Sequence, residues 1–243
     1  MKPIMLAFRP DTTDAPELFT HAVVPMYVYS DLLAVKDILE HELKPFHNVC
    51  AIDDDSQANR INLVALAEQL GFKSIELDEQ ISRNALSAEE LEELKSRTSL
   101  PIGVTSTINP ILDFLNAGAR PSFICVECYN VMPDIDYLKM INPHTPVYGV
   151  VNIADPNNVS SESHVLKAWS EIIWSRLDGI WFWGWNTGVP LLDVKAQQNY
   201  PTLKQAVTQM RSEDQLRTAV AVAGALAVLG VGIMVAKKLG KKK

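Results

Sequence analysis

Apolar residues fall along most of this chain in short compact runs, separated by longer stretches in which they recur every three or four positions. The runs read as buried strands and the longer period as one face of a helix. Strands are predicted at 4–8, 23–29, 48–52, 73–78, 101–107, 123–129, 147–153 and 179–186. Residues 16–22 read as a helical turn, and a helix follows over 31–43, with Leu32, Val35, Leu39 and Leu43 on one face. The next helix begins at Ser56 and ends before Gly71, with Ile61, Val64, Ala65 and Leu66 as its apolar stripe. Ser87 and Glu90 form a capping box for a helix over 88–96, and a short helix opens at Asn109 and Pro110. Further helices are predicted over 133–140, 161–176 and 201–210.

Eight strands alternating with helices, each strand apolar enough to be covered on both sides, predict a (β/α)8 barrel of the TIM type over residues 1–210. The connection between the first two strands is short for a crossover, which leaves a doubly wound open sheet as the alternative. In the last strand, GIWFWGWN, Trp181, Trp183 and Trp185 share one face. A packed interior has little room for three indoles. Either Trp185 and Trp183 reach the mouth of the barrel, or the whole face packs outward against helices.

Residues 218–236 carry no charge and are Ala, Val, Gly and Leu nearly throughout, long enough to span a bilayer core as one helix. This predicts a transmembrane helix after a linker at 211–217 and before a basic tail at 237–243. Membrane lipid is its expected partner, through a single-pass C-terminal anchor. Gly224, Val228 and Gly232 share a face and would permit helix–helix or homo-oligomer contacts. Five Lys after the span favour a cytoplasmic C-terminus, whereas the start MKPIMLAFRP lacks a secretory signal, which favours a cytosolic body; the two arguments oppose each other.

Charge narrows the partners. The net charge is −7, but five of the 22 basic residues lie after position 236, so the body sets 17 against 29 acidic residues, a net of −12. Such a body repels nucleic acid, which is not an expected partner of the barrel. The three Cys, at 50, 125 and 128, fall in predicted strands and read as buried thiols, since positions three apart on a strand point to opposite faces. His21, His41, His47, His144 and His164 show no metal spacing, and neither a phosphate-cradling Gly loop nor a G-x-S-x-G elbow is present. No cofactor or metal is expected. Asn158-Val159-Ser160 matches a glycosylation acceptor, a pattern that chance supplies readily.

Chemistry in a parallel barrel sits at the C-terminal ends of the strands. The third strand runs into Asp53, Asp54 and Asp55, which read as a helix-cap cluster or, beside Glu76, as a site for a hard cation. In the fourth strand, alternation aims Glu76 and Asp78 at the axis. The fifth delivers Thr105 and Thr107, the seventh Asn152, and the sixth embeds Glu127 in an otherwise apolar run before Cys128 and Tyr129. A carboxyl in such a setting must reach water, a partner or a ligand, and its raised pKa suits a general acid.

Carboxylates at the ends of the fourth and sixth strands, Tyr129 beside one of them and the Trp-rich eighth strand resemble the TIM-barrel glycoside hydrolases, broadly defined. The resemblance implies Glu127, Glu76 and Asp78 as catalytic carboxyls and Trp183, Trp185, Tyr129, Asn152 and Thr107 as the sugar site. The chain departs from two branches of that superfamily. In the D-x-D-x-E register, Glu76 and Asp78 are followed by Gln80, an amide in the acid's place; in the branch with a Glu on strands four and seven, the seventh offers only Asn152. Two functions are therefore expected: a membrane-anchored barrel that binds, and in the catalytic case cleaves, a cell-envelope polysaccharide, or a non-enzymatic scaffold of the virion-structural type that uses the barrel as a docking body.

Overall fold

The computed structural model describes residues 2–7, 19–26, 32–41, 43–184 and 190–240, with side chains at all of these except 6–7, 32–34, 217–218 and 221–240. Eight parallel strands close on themselves: β1 (Ile4–Ala7), β2 (His21–Pro25), β3 (His47–Ile52), β4 (Ser74–Asp78), β5 (Ile102–Ser106), β6 (Phe123–Glu127), β7 (Val147–Asn152) and β8 (Gly179–Trp183). Each pairs with its neighbour in sequence, and Ile4 to Leu6 of β1 pair with Ile180 to Phe182 of β8. That last pairing excludes the open doubly wound sheet.

Helices surround the barrel: α1 (Leu32–Glu40), α2 (Gln57–Leu70), α3 (Ala88–Ser96), α4 (Ile108–Asn116), α5 (Ile135–Ile141), α6 (Ser163–Arg176) and α7 (Pro190–Gly240). Their ends follow local chemistry. Ser56 and Ser87 accept from the N–H groups of Asn59 and Glu90, Asp134 caps α5 by accepting from Tyr137, and Gly71 ends α2 at φ 92°, a left-handed position that glycine adopts without strain.

Several boundaries and faces differ from expectation. β2 begins at His21, inside the segment read as a helical turn, because Thr20 is tied to β1: Ile4 donates to its hydroxyl at 2.8 Å and its N–H donates back to the Ile4 carbonyl at 2.9 Å. α2 buries Arg60, Val64 and Ala67, with Ile61, Ala65 and Leu66 only partly covered. The face turns because Arg60, counted as polar in the pattern, is 1% exposed and ion-paired with Glu90 on α3. α4 starts at Ile108 with Thr107 as its cap residue, and α6 starts at Ser163 after a 3-10 turn at Val159–Ser161.

The last helix begins at Pro190, before the expected start, and carries Pro201 inside it. Leu203, Ala206, Val207 and Met210 are buried against the barrel, and the Lys2 N–H donates to Asp214 at 3.3 Å. Beyond these contacts Leu216 and Val220 are 66% and 64% exposed. The backbone stays helical through 211–217, expected as a linker, and through 218–236, expected as an anchor. Among the described residues no helix is long and apolar enough to cross a membrane, and most side chains of 218–236 lie outside those described.

Alternation divides the sheet into two environments. Outward residues such as Ile52, Ile75, Leu77, Val126 and Phe182 join the helices in the larger core. Inward ones, among them Met5, Val23, Val49, Ala51, Phe123, Cys125, Val150 and Trp181, fill the barrel. The Trp face therefore points inward. Trp181 is 2% exposed and Trp183 packs edge-on against it at 6.0 Å between centroids, while Trp185 lies outside the described residues. Glycines leave room for other side chains of the sheet. A Cβ on Gly103 would fall on the Phe123 ring, and one on Gly179 would come within 2.6 Å of the Pro3 carbonyl oxygen and 3.0 Å of Tyr148 Cδ1.

Candidate active site

The register slips steadily around the closed sheet, so inward side chains of alternate strands share a level, as a TIM barrel requires. Tracing the pairs from β2 to β8 puts Pro25, Asp78, Glu127 and Trp183 on the uppermost level contributed by the even strands. The level below it from the same strands holds Val23, Glu76, Cys125 and Trp181, and Thr105 lies between the two on β5. Two carboxyls thus meet at the mouth and a third lies beneath them.

The lower one, Glu76, is 1% exposed, and neither of its oxygens has a hydrogen-bond partner among the described residues. Burial, and then the nearby Asp78 charge, raise its pKa well above the carboxylate range. Burial thus favours the neutral form of Glu76, one level beneath the mouth.

Asp78 and Glu127 are each partly exposed. Burial, then the charges of Glu79 and Asp53, lift Asp78 to about 7. Burial, then Glu79 and Asp78, lift Glu127 to about 8. One Glu127 oxygen has no hydrogen-bond partner among the described residues. Two carboxyls that resist simultaneous ionisation share protons near neutrality, the condition in which one serves as an acid and its neighbour as a base.

Glu79 is a member of this group that alternation along the strand did not reveal. It is exposed, follows Asp78 directly, and holds a left-handed backbone at φ 53° while its N–H donates to the Thr105 carbonyl at 3.1 Å. Nothing in the residue type forecasts that conformation. It arises because the chain must turn sharply at the end of β4.

Glu127 also opens sideways. With Thr107, Ile108, Tyr129, Asn130, Val131 and Pro133 it lines a cleft of about 290 Å³ between the start of α4 and the segment after β6. Of the expected sugar-site residues, Tyr129 and Thr107 meet here, beside the expected catalytic carboxyl Glu127. Burial, then the Glu127 charge, push the Tyr129 phenol well above its ordinary range, so it stays neutral. Trp183 stands across the mouth. Asn152 does not join them as a free polar group: it is 6% exposed, and its Oδ1 accepts from the N–H groups of Ala154 and Asp155, at 2.9 Å each, fixing the turn after β7.

The other acidic residues are engaged elsewhere. Asp53 and Asp55 pair with Arg83, and Asp54 accepts from Ser56 N at 2.8 Å and Asn59 Nδ2 at 3.0 Å at the start of α2. Among the described residues no three His, Cys, Asp or Glu side chains are arranged to hold a metal ion. Gln80, the amide in the acid's place, is fully buried: it accepts from Arg60 at 3.0 Å and donates to Asp53 and to the Asp78 carbonyl. It is a strut under the mouth. Cys125 faces the barrel interior and Cys128 the helices, and burial raises both thiols, Cys128 to about 12. His21 and His47 stack at 4.5 Å at the opposite end of the barrel, bonded to Thr20 and Ser74.

No protein-family model and no curated protein matches this chain. Solved structures do. A GH113 β-1,4-mannanase is similar with a TM-score of 0.60 at 11% identity, over 86% of this chain and 99% of that one. The 3-hexulose-6-phosphate synthase of Salmonella typhimurium gives 0.55 at 13%, over 86% and 100%. A putative isomerase from Sinorhizobium meliloti gives 0.53 at 12%, over 79% of this chain and about half, 52%, of that one. At such identities the likeness establishes the fold alone. The chain is a closed eight-stranded TIM barrel, a fold shared with glycoside hydrolases, synthases and lyases.

Proposed function

We propose that the barrel is a hydrolase of neutral glycosides in which Glu127 is the acid and Asp78 the base. The observation that carries this reading is the single level shared by Asp78, Glu127 and Trp183 at the C-terminal mouth. Glu127, protonated near neutrality, donates its proton to the glycosidic oxygen as the bond from that oxygen to the anomeric carbon breaks. Asp78, ionised, stabilises the positive charge growing on the sugar ring and takes a proton from the water that adds its hydroxyl to that carbon. Glu76 takes neither role, since it is buried one level beneath the mouth. Trp183 offers an aromatic face beside the ring. The carboxylates of Asp78 and Glu79 at the rim disfavour phosphorylated and carboxylated substrates, in keeping with uncharged sugars.

The same reading attaches the barrel to a membrane through 218–236, in keeping with the uncharged sequence there and with a helical backbone that runs on from the barrel. A neutral glycoside of the cell envelope is then the substrate within reach. The test is hydrolysis of a panel of neutral oligosaccharides and aryl glycosides by the full chain, Glu127→Gln and Asp78→Asn. Each substitution should lower turnover by at least a hundredfold with the fold intact; wild-type rates in both variants would remove the assignment.

A further inference from the structure

We infer that the cleft beside Glu127 receives the leaving group of the substrate, and that this group is compact and apolar, an aryl or alkyl aglycone. The inference rests on Glu127 being the acid of the proposed hydrolase. An acid must lie against the oxygen it protonates, and that oxygen joins the sugar to its leaving group. Glu127 belongs at once to the mouth, where it shares a level with Asp78 and Trp183, and to the wall of the cleft. A glycoside with its sugar over the mouth therefore directs its other half into the cleft.

The walls state what that half must be. Ile108, Val131 and Pro133 supply aliphatic surface, and Glu127 is the one ionisable carboxyl among the described residues that line the cleft. Val131 is 73% exposed, a large apolar side chain left largely uncovered by the described residues. The amide of Asn130 is turned away to the neighbouring loop: its Nδ2 donates to Asn158 at 3.2 Å and its Oδ1 accepts from the Val159 N–H at 3.0 Å. A second sugar would leave most of its hydroxyls unpaired against such walls, whereas a ring of aryl size gains from leaving water. About 290 Å³ holds one such group.

The experiment uses the full chain and the fluorophore 4-methylumbelliferone as a free aglycone, its binding followed by anisotropy, alongside hydrolysis of 4-methylumbelliferyl glycosides and of disaccharides of the same sugars. Val131→Asn removes apolar wall without adding charge, and Val131→Trp fills the cleft; the exposure of Val131 leaves the fold unaffected, which the unfolding midpoint verifies. Both should weaken binding of the free fluorophore about tenfold. On the aryl glycosides they should raise KM by a similar factor, narrowing the wild type's preference for aryl glycosides over disaccharides. Binding by the wild type that both variants retain, or no binding by the wild type, overturns the inference. If glycosides are never cleaved but the fluorophore binds and the variants lose it, the hydrolase reading fails while the apolar cleft stands as a binding site.

Discussion

Asp78 and Glu127 face the barrel axis at one level from the two strands that flank β5, with Glu79 beside them in a left-handed turn. Their pKa values, near 7 for Asp78 and near 8 for Glu127, belong to a coupled set of charges. If Asp78 must be ionised and Glu127 protonated, kcat/KM should follow a bell with its limbs near those values. Glu79 raises both groups, so Glu79→Gln should move both limbs to lower pH. A pH–rate profile that does not shift would show that Glu79 lies outside the site.

The same groups weaken the fold. A carboxyl whose pKa is higher in the folded chain than in the unfolded one contributes stability that is present below the unfolded value, near 4.3, and lost as pH rises through the folded one. Glu127→Gln should therefore stabilise the protein by roughly 2 kcal/mol at pH 7 and by almost nothing at pH 4. Denaturant titrations at the two pH values measure the difference. His21 has the opposite sign. Burial, then His47, lower its pKa to about 4, so its contribution is whole above 6.5 and declines as pH falls toward 4.

Much of the barrel was legible because fully covered strands leave compact apolar runs, and the break in such a run singled out Glu127 as a candidate at the strand end. Parity placed Trp181 and Trp183 on one face but not on the inner one. That choice depends on how Ala51, Cys125 and Val150 of other strands pack with Trp181, a fact about neighbours that no single strand carries. The cleft was hidden for a similar reason. Ile108, Val131 and Pro133 join Glu127 only through the path of the chain after β5 and β6, and periodicity does not encode that path. Arg60 was misplaced because a pattern of apolar positions cannot show that a charge has found four acceptors in the interior.

Those acceptors define a third prediction. Arg60 donates to Glu90 at 2.8 Å, to the Asp54 and Ala85 carbonyls at 2.6 Å each and to Gln80 at 3.0 Å, joining α2, α3 and the segment that leaves β4. Arg60→Met would strand the Glu90 carboxylate and Gln80, at a cost of about 3 kcal/mol. Thermal unfolding measures the loss. Gln80 also holds the Asp78 carbonyl and Asp53. The variant should therefore lose turnover at temperatures where it remains folded.

Small residues inside the barrel give a fourth. Gly103→Ala would drive a methyl group onto the Phe123 ring and should destabilise by roughly 1–3 kcal/mol. Phe123→Leu, which leaves a space of its own, should recover part of the loss when the two are combined. A double-mutant cycle with no coupling would mean that the ring is not what requires glycine at 103.

The proposed anchor is tested at a boundary that the structure defines. Contacts between α7 and the barrel run from Ala196 and Asn199, whose Nδ2 donates to the Ile153 and Ser161 carbonyls, through Met210 to Asp214, which accepts from the Lys2 N–H. Removing residues 216–243 therefore spares that packing and takes away the whole uncharged segment at 218–236. A protein that needs detergent should become one that stays in aqueous solution, with its unfolding midpoint unchanged within a few degrees. Lowering the midpoint without altering membrane association would assign the tail to the barrel's own stability. Retention of the truncated chain in a washed membrane pellet would place the attachment on the barrel surface instead, where Val131, Met140 and Val159 stand exposed.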